Sequence, residues 1–489
     1  MLIRFFLVFC LGLLQSCNEP SSNTIKFGLA SMPSNLDPRY ATDATSIRIE
    51  RLLYQRLVEF DESKKVIPSI ANWQRLSPTH FQFILNESAN NFIDKTLLDA
   101  YDVKATYDFV LDKRNASPHR AALQIIERIE TTNNKTIDFY LNKPDPLFPS
   151  YLAVSILPDE KILKGYDFNK QPIGSGDFKL VAKKEDKVHL QRRRDKMLID
   201  FIHVPDPTVR VLKILRGEVD IVQNDLMPEL VKYLKTQEKI YVHKRKGSNF
   251  SYVGFNMQDP ILSQIKIRQA IALSINREEI INTIFGGAAR KALSILPPDH
   301  WAGNDSLPSF SYNPEKAKQL LSEFGYTQRN PLKLTFKTSS DPFRLRLATI
   351  YQHQFKKVGI ELSIRSYDWG TFYGDIKNGR FQLYSLAWVG INTPDIFKYT
   401  SHSKSIPPGG ANRGRYINPQ VDELIDQAET QQNLADQLKY YVELQRLLLK
   451  DLPYVPLWYE DNVLITRKHI KNYRLAADGN YDGLKLVSL

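Results

Sequence analysis

Residues 252–289 read YVGFNMQDPILSQIKIRQAIALSINREEIINTIFGGAA. Apolar side chains at Ile265, Ile267, Ile271, Ala272 and Ile275 recur at a mostly helical spacing, which predicts a helix with one buried stripe. Asn276 then offers a side-chain oxygen to cap a second helix, and Glu279 stands three residues on, placed to reach back to the Asn276 N–H. Ahead of both lies the strand-like Tyr252-Val253-Gly254-Phe255-Asn256, and Gly286-Gly287 follows them. Taken alone, this is a strand and a pair of core helices from an unspecified globular domain.

Together, the Tyr252–Asn256 strand, the Arg268-Gln269-Ala270 helix, the Asn276-Arg277 step and the glycine pair resemble the central segment of the family 5 extracytoplasmic solute-binding proteins. These are the large peptide, nickel and oligosaccharide receptors of bacterial ABC importers. The resemblance implies an α/β fold of two lobes, periplasmic-binding-protein-like, of type II and its large cluster with an extra inserted domain. It also implies that this segment opens the second lobe where the chain has just crossed from the first, so that it marks the hinge.

Length and composition agree with more than one domain. A chain of 489 residues exceeds what one hydrophobic core sustains, and 42% hydrophobic with 11% aromatic residues gives no sign of disorder. The net charge of +12, with runs Arg192-Arg193-Arg194 and Lys244-Arg245-Lys246, invites a polyanion partner. Against it, 54 acidic residues are spread among 66 basic ones, so a solvated basic face explains the runs and no nucleic-acid partner is expected.

The first residues read as a targeting segment. Arg4 precedes the apolar run Phe5–Leu14, and Leu14-Gln15-Ser16-Cys17 ends it. The run falls short of the roughly 20 residues a membrane span needs. Its end resembles the bacterial lipobox, apart from Gln15 at a position usually held by a small residue. The resemblance implies removal of residues 1–16 as a lipoprotein signal peptide and lipidation of Cys17. Cys10 would leave with the signal peptide, so the mature chain could form no internal disulfide, and Asn18–Asn23 would serve as a polar tether. The expected location is periplasmic or extracytoplasmic, anchored to a membrane by lipid.

Further along, Thr24–Ala30 reads as a strand leading into the turn-rich Pro33-Ser34-Asn35-Leu36-Asp37-Pro38, and Ile47–Phe60 as one amphipathic helix. Strands are expected on either side of Ser77-Pro78-Thr79, a helix over Ala100–Leu111, and a hairpin within Ile125–Leu141 turning at Asn133-Asn134. The stretch Pro172-Ile173-Gly174-Ser175-Gly176 lacks the GKS or GKT ending of a phosphate loop and precedes a strand. It resembles the family's P-x-G-x-G-x-aromatic-x-L element, which implies glycines that permit a tight turn as the chain re-enters the first lobe. Asp206-Pro207 starts a helix that Arg216-Gly217 ends before a strand at Glu218–Val222, in family order. Asn313-Pro314 caps a helix with Ala317, Leu320, Leu321 and Phe324 in its buried stripe. Strand Leu332–Lys337, helix Arg344–Val358, strand Ile360–Arg365 and a helix begun by Asn418-Pro419 follow.

The resemblance also names candidate ligand contacts: Ser34 and Asn35 in the loop bordering the cleft, His119 near the pocket, and Trp388, Gly390 and Asn392 in Ala387-Trp388-Val389-Gly390-Ile391-Asn392-Thr393-Pro394-Asp395. In the family's peptide receptors the tryptophan of this loop lies over the ligand, and an aspartate three residues on pairs with the peptide's α-amino group. That position is Ile391 in this chain, and the loop is a residue shorter. Asn392 and Asp395 remain as the nearest polar candidates.

Nine histidines include no H-E-x-x-H or Cys/His zinc spacing, and there is no G-x-S-x-G elbow. A nucleophile and a base distant in sequence could still meet in space, but the expectation is a non-enzyme without catalytic residues, metal or cofactor. The implied function is the substrate-binding lipoprotein of an ABC importer, a monomer that captures peptides between its lobes and delivers them to an inner-membrane permease. The expected boundaries are 17–44, 172–249 and 462–489 for lobe I, 45–171 for the inserted subdomain and 250–461 for lobe II. A receptor for a nickel chelate, an oligosaccharide or a signalling ligand on the same scaffold is the alternative, and a periplasmic hydrolase a remoter one.

Overall fold

The two strands Ile240–Phe255 and Tyr454–Arg467 are far longer than the other strands, and the molecule is built around them. The computed structural model describes residues 23–89 and 91–489. The two strands run antiparallel over nearly their whole length, with the pairing broken between Arg245 and Asn249. On one side of that break, Ile240–Arg245 pairs with Asn462–Arg467, and the sheet continues through Ile221–Gln223, Thr24–Leu29, Leu198–His203, Lys187–Arg192 and Phe178–Lys183. On the other side, Asn249–Gly254 pairs with Tyr454–Glu460, and the sheet continues through Leu383–Trp388, Leu332–Ser339 and Ile360–Tyr367. One continuous hydrogen-bonded sheet thus serves two bodies.

Separate hydrophobic cores confirm the two lobes. Ile25, Phe27, Ile199 and Phe201 pack with Phe83, Phe139 and Phe148. Val253, Phe255, Leu334 and Phe336 belong to a second core, and Phe250, Tyr384, Phe397 and Tyr441 to a third on the opposite face. The first core extends into a four-stranded antiparallel sheet, Ala71–Ser77, His80–Leu85, Thr136–Leu141 and Ile126–Thr131. Parallel pairing of Leu332–Ser339 with Ile360–Tyr367 across the helix Pro342–Lys356 gives the α/β character of the other lobe. The fold is the mixed α/β, two-lobed architecture anticipated from the sequence.

Capping chemistry explains most helix boundaries. Asp99 and Asp102 form a reciprocal capping box at the start of Ala100–Leu111. Asp206 caps Pro207–Arg216, and Gly217 closes it with φ 79°. Asn276 caps Arg277–Thr283 by accepting from the Glu279 N–H, as expected. The return half of that box is different: the Asn276 N–H donates to Gln354 Oε1 at 3.0 Å, from a helix 78 residues away. A tertiary partner outcompetes the local one.

Other local readings also give way to packing. The helix expected over Ile47–Phe60 spans Ala44–Leu53 and stops at the extended Tyr54, with Val58–Phe60 as a strand. Gly174 and Gly176 lie against this helix end. A β-carbon at Gly174 would sit 2.0 Å from the Leu53 carbonyl oxygen, and one at Gly176 would sit 2.5 Å from that of Leu52. Close approach of backbone to backbone, rather than a left-handed turn, requires these glycines. Phe324, assigned to a buried stripe, is 39% exposed, because its helix ends at Ser322. The strand after Gly217 begins at Ile221 rather than at Glu218.

Candidate functional site

The break in the long strand pair falls at Lys246-Gly247-Ser248, opposite Asp461. A β-carbon on Gly247 would lie 2.3 Å from the Glu460 carbonyl oxygen, so the two long strands touch here as only glycine allows. Just beyond, Ser251 Oγ donates to Glu460 Oε1 at 2.8 Å. A small cavity sits beside this point. Glu62, Lys64 and Ala477 line it from the first lobe, and Pro297, His300 and Ile391 from the second.

His300 holds the loop that carries Ile391. Its Nδ1 accepts from the Ala302 N–H at 3.0 Å, which leaves Nε2 to donate to the Asn392 carbonyl oxygen at 3.0 Å. Burial pushes its pKa down to about 4, in keeping with the neutral ring this pairing needs. The Asn392 side-chain oxygen is buried and, among the described residues, accepts no hydrogen bond. Gly390 stands at φ 74° with open space around it, and Ile391 is only 8% exposed.

On the other side of the loop lies a second, small cavity, lined wholly by residues of the second lobe. Trp388, Tyr252, Tyr384, Asn412, Arg413 and Tyr454 are among its lining residues. Trp388 ends the strand Leu383–Trp388 and pairs there with Phe250 of the hinge strand. The Arg413 guanidinium carbon is 4.5 Å from the Trp388 ring centroid, within cation–π range.

The lobes also meet on the rims flanking the hinge. Trp301 N–H donates to the Ser63 carbonyl at 3.0 Å, and Arg75 Nη2 to Gln432 Oε1 at 2.7 Å. Arg346 pairs with Glu229, and Lys143 Nζ lies 3.5 Å from Glu429. Near that last pair, Asp395 is pushed up to about 6, chiefly by burial and further by Asp145 and Glu429, although the Thr393 hydroxyl opposes the shift.

Trp388 lines the second cavity and Ile391 the first, whereas Gly390 and Asn392, on the same loop, line neither. Ser34 and Asn35 are engaged elsewhere: Ser34 donates to Asp43, the cap of Ala44–Leu53, and the Asn35 N–H donates to Ser46 Oγ at 3.1 Å. His119 is half-buried, its pKa lowered by burial while the Ala41 backbone opposes the shift. None of these three lines either cavity. Cys17 lies outside the described residues. Sequence reading passed over His300, Arg413 and Tyr252 as site residues. The glycine-rich Gly409-Gly410-Ala411-Asn412-Arg413-Gly414 was the available signal for the second, while Tyr252 sat inside the opening stretch as an ordinary strand residue.

Residues 71–406 match the family described as bacterial extracellular solute-binding proteins, family 5 Middle. Heme-binding protein A of Haemophilus influenzae is 26% identical over 96% of this chain and 93% of its own length. Di/tripeptide-binding protein 2 of Pseudomonas aeruginosa is 27% identical, over 97% of this chain and 96% of its own. The periplasmic binding protein DppA of Helicobacter pylori, solved with the peptide STSA, superposes with TM-score 0.80 at 26% identity, covering 95% of this chain and 98% of that one. The family match spans more than half of the chain, and the paired long strands, separate cores and interlobe cavity fit it: the chain belongs to the bacterial extracellular solute-binding proteins of family 5.

Proposed function

We propose that this protein is the peptide receptor of an ABC importer, tethered to a membrane through a lipid on Cys17. It captures a short peptide between its lobes and hands it unaltered to an inner-membrane permease. The observation that carries this reading is the pair of hinge strands, broken at Lys246-Gly247-Ser248, with the Trp388 loop and an interlobe cavity beside the break. Relatives named for binding dipeptides and tripeptides, alignable over nearly their whole length, support it. On this reading lobe I comprises 17–44, 172–249 and 462–489, the insertion 45–171, and lobe II 250–461, with Trp388, Gly390 and Asn392 facing the ligand.

Mechanistically, the ligand must bind the closed arrangement more tightly than the open one, since only differential affinity shifts that equilibrium. The few residues around Gly247 and Asp461 absorb the backbone rotation. Mass spectrometry of small molecules co-purifying with residues 23–489 tests the reading. A mixture of short peptides is the expected result, and a single metal chelate or sugar would replace it with another receptor on this scaffold. Trp388→Ala should lower peptide affinity about tenfold or more without changing the melting temperature. Metabolic labelling with a radioactive fatty acid, lost in Cys17→Ser, checks the anchor.

A further inference from the structure

Arg413 is 8% exposed, yet among the described residues no carboxylate pairs with it. Its Nη1 donates to the Tyr252 hydroxyl and its Nη2 to the Tyr373 hydroxyl, both at 3.1 Å. Every other buried arginine in the described chain is matched by acceptors of full or strong partial negative charge. Arg39, Arg56 and Arg192 pair with Asp37, Glu50 and Asp195. Arg210, Arg268 and Arg277 each converge on three or more backbone carbonyls. Arg413 has two phenols and a tryptophan face instead, and it borders a cavity.

Burying a cation without an anion is costly unless something else supplies the charge. A guanidinium carries five N–H donors in a planar fork, of which the phenols accept from two, so donors remain for a planar oxyanion. The flanking loop adds no negative charge toward this cavity. Ile391 is apolar, and Asp395 faces Asp145 and Glu429 across the rim. The aromatic rings of Trp388, Tyr252, Tyr384 and Tyr454 line the cavity and lower the polarity around any ion pair formed there, which strengthens it.

We infer that Arg413 is the anion receptor of this site: the cavity beside Trp388 takes a carboxylate of the bound solute, anchored by the guanidinium between Tyr252 and Tyr373. The inference rests on the peptide reading only for the source of that carboxylate, which is either a peptide's C-terminus or an acidic side chain. Its consequence is a receptor that fixes its ligand at this loop by an anionic group rather than by an amine.

Titration calorimetry with trialanine, trialanine amide and Ala-Glu-Ala amide separates the sources. The wild type should bind trialanine at least tenfold more tightly than its amide if the C-terminus is used, and Ala-Glu-Ala amide should recover that factor if a side chain is used. Arg413→Met should bind all three alike, and Arg413→Lys, which keeps the charge but loses the fork, should retain part of the discrimination. A probe independent of peptides is malonate against neutral malonamide: malonate alone should raise the melting temperature of the wild type, and not that of Arg413→Met. If no peptide binds but malonate stabilises, the peptide reading fails and the anion site stands. Equal binding of trialanine, trialanine amide and Ala-Glu-Ala amide by the wild type, or unchanged discrimination in both variants, would overturn the assignment. Should Arg413→Met not fold, the wild type and Arg413→Lys still decide it.

Discussion

Lowering the pH from 7 to 5 should tighten lobe closure, and the rim joining Asp145 to Asp395 sets the size of the effect. Asp145 lies on the first-lobe side beside Phe148, whereas Asp395, Glu429 and Tyr441 belong to the second. Burial pushes Asp395 up to about 6, and the charges of Asp145 and Glu429 add to it. Asp145 is raised too, again first by burial. Tyr151 and Tyr441 feel the same carboxylates, and Lys143 and Lys398 lie on Glu429. A carboxyl with a higher pKa in the closed form binds more protons there, so closure strengthens as the pH falls through about 6. It gains nothing further below the ordinary value of 3.8, where both forms are protonated. If opening restores that ordinary value, one such group makes closure about tenfold more favourable at pH 5 than at pH 7. His300, pushed down to about 4 by burial, acts in the opposite sense to the extent that opening exposes it. Peptide dissociation constants by calorimetry and radii of gyration by X-ray scattering, at pH 5, 6 and 7, read the effect directly. The wild type should tighten about tenfold, and Asp395→Asn should lose most of that gain, keeping only the part that Asp145 supplies. The same tenfold gain in Asp395→Asn would refute the reasoning.

Gly174→Ala should cost about 3 kcal/mol or more in denaturant midpoint measurements, because its β-carbon would meet rigid backbone at Leu53. Gly374→Ala, in the helix Trp369–Lys377 with nothing within 4 Å of the new β-carbon, should instead stabilise by about 0.5–1 kcal/mol. Arg277→Met strips donors from the carbonyls of Ala292, Pro456 and Phe310 and should destabilise by about 3 kcal/mol, lowering the melting temperature without selective loss of ligand affinity.

The sequence alone determined whatever depends on neighbours in the chain. Asn276, Asp206 and Asn418 cap helices where they were expected to, since a side-chain oxygen needs only the next three N–H groups to do so. The strand–helix–strand order of the second lobe followed from hydrophobic periodicity, and the absence of an acidic side chain at Ile391 could be read directly. Contacts between distant segments stayed hidden. The helix after Asp43 ends at Leu53, where Gly174 and Gly176 pack against its last turn, and Gln354 takes the Asn276 N–H in place of Glu279. Arg413 looked like one basic residue in a glycine-rich loop. Only the folded chain sets it against Tyr252, 161 residues earlier, and over Trp388. Caps and periodicity are local and write themselves into the sequence, whereas the charge environment of a cleft is fixed by which remote strands and loops share one sheet edge.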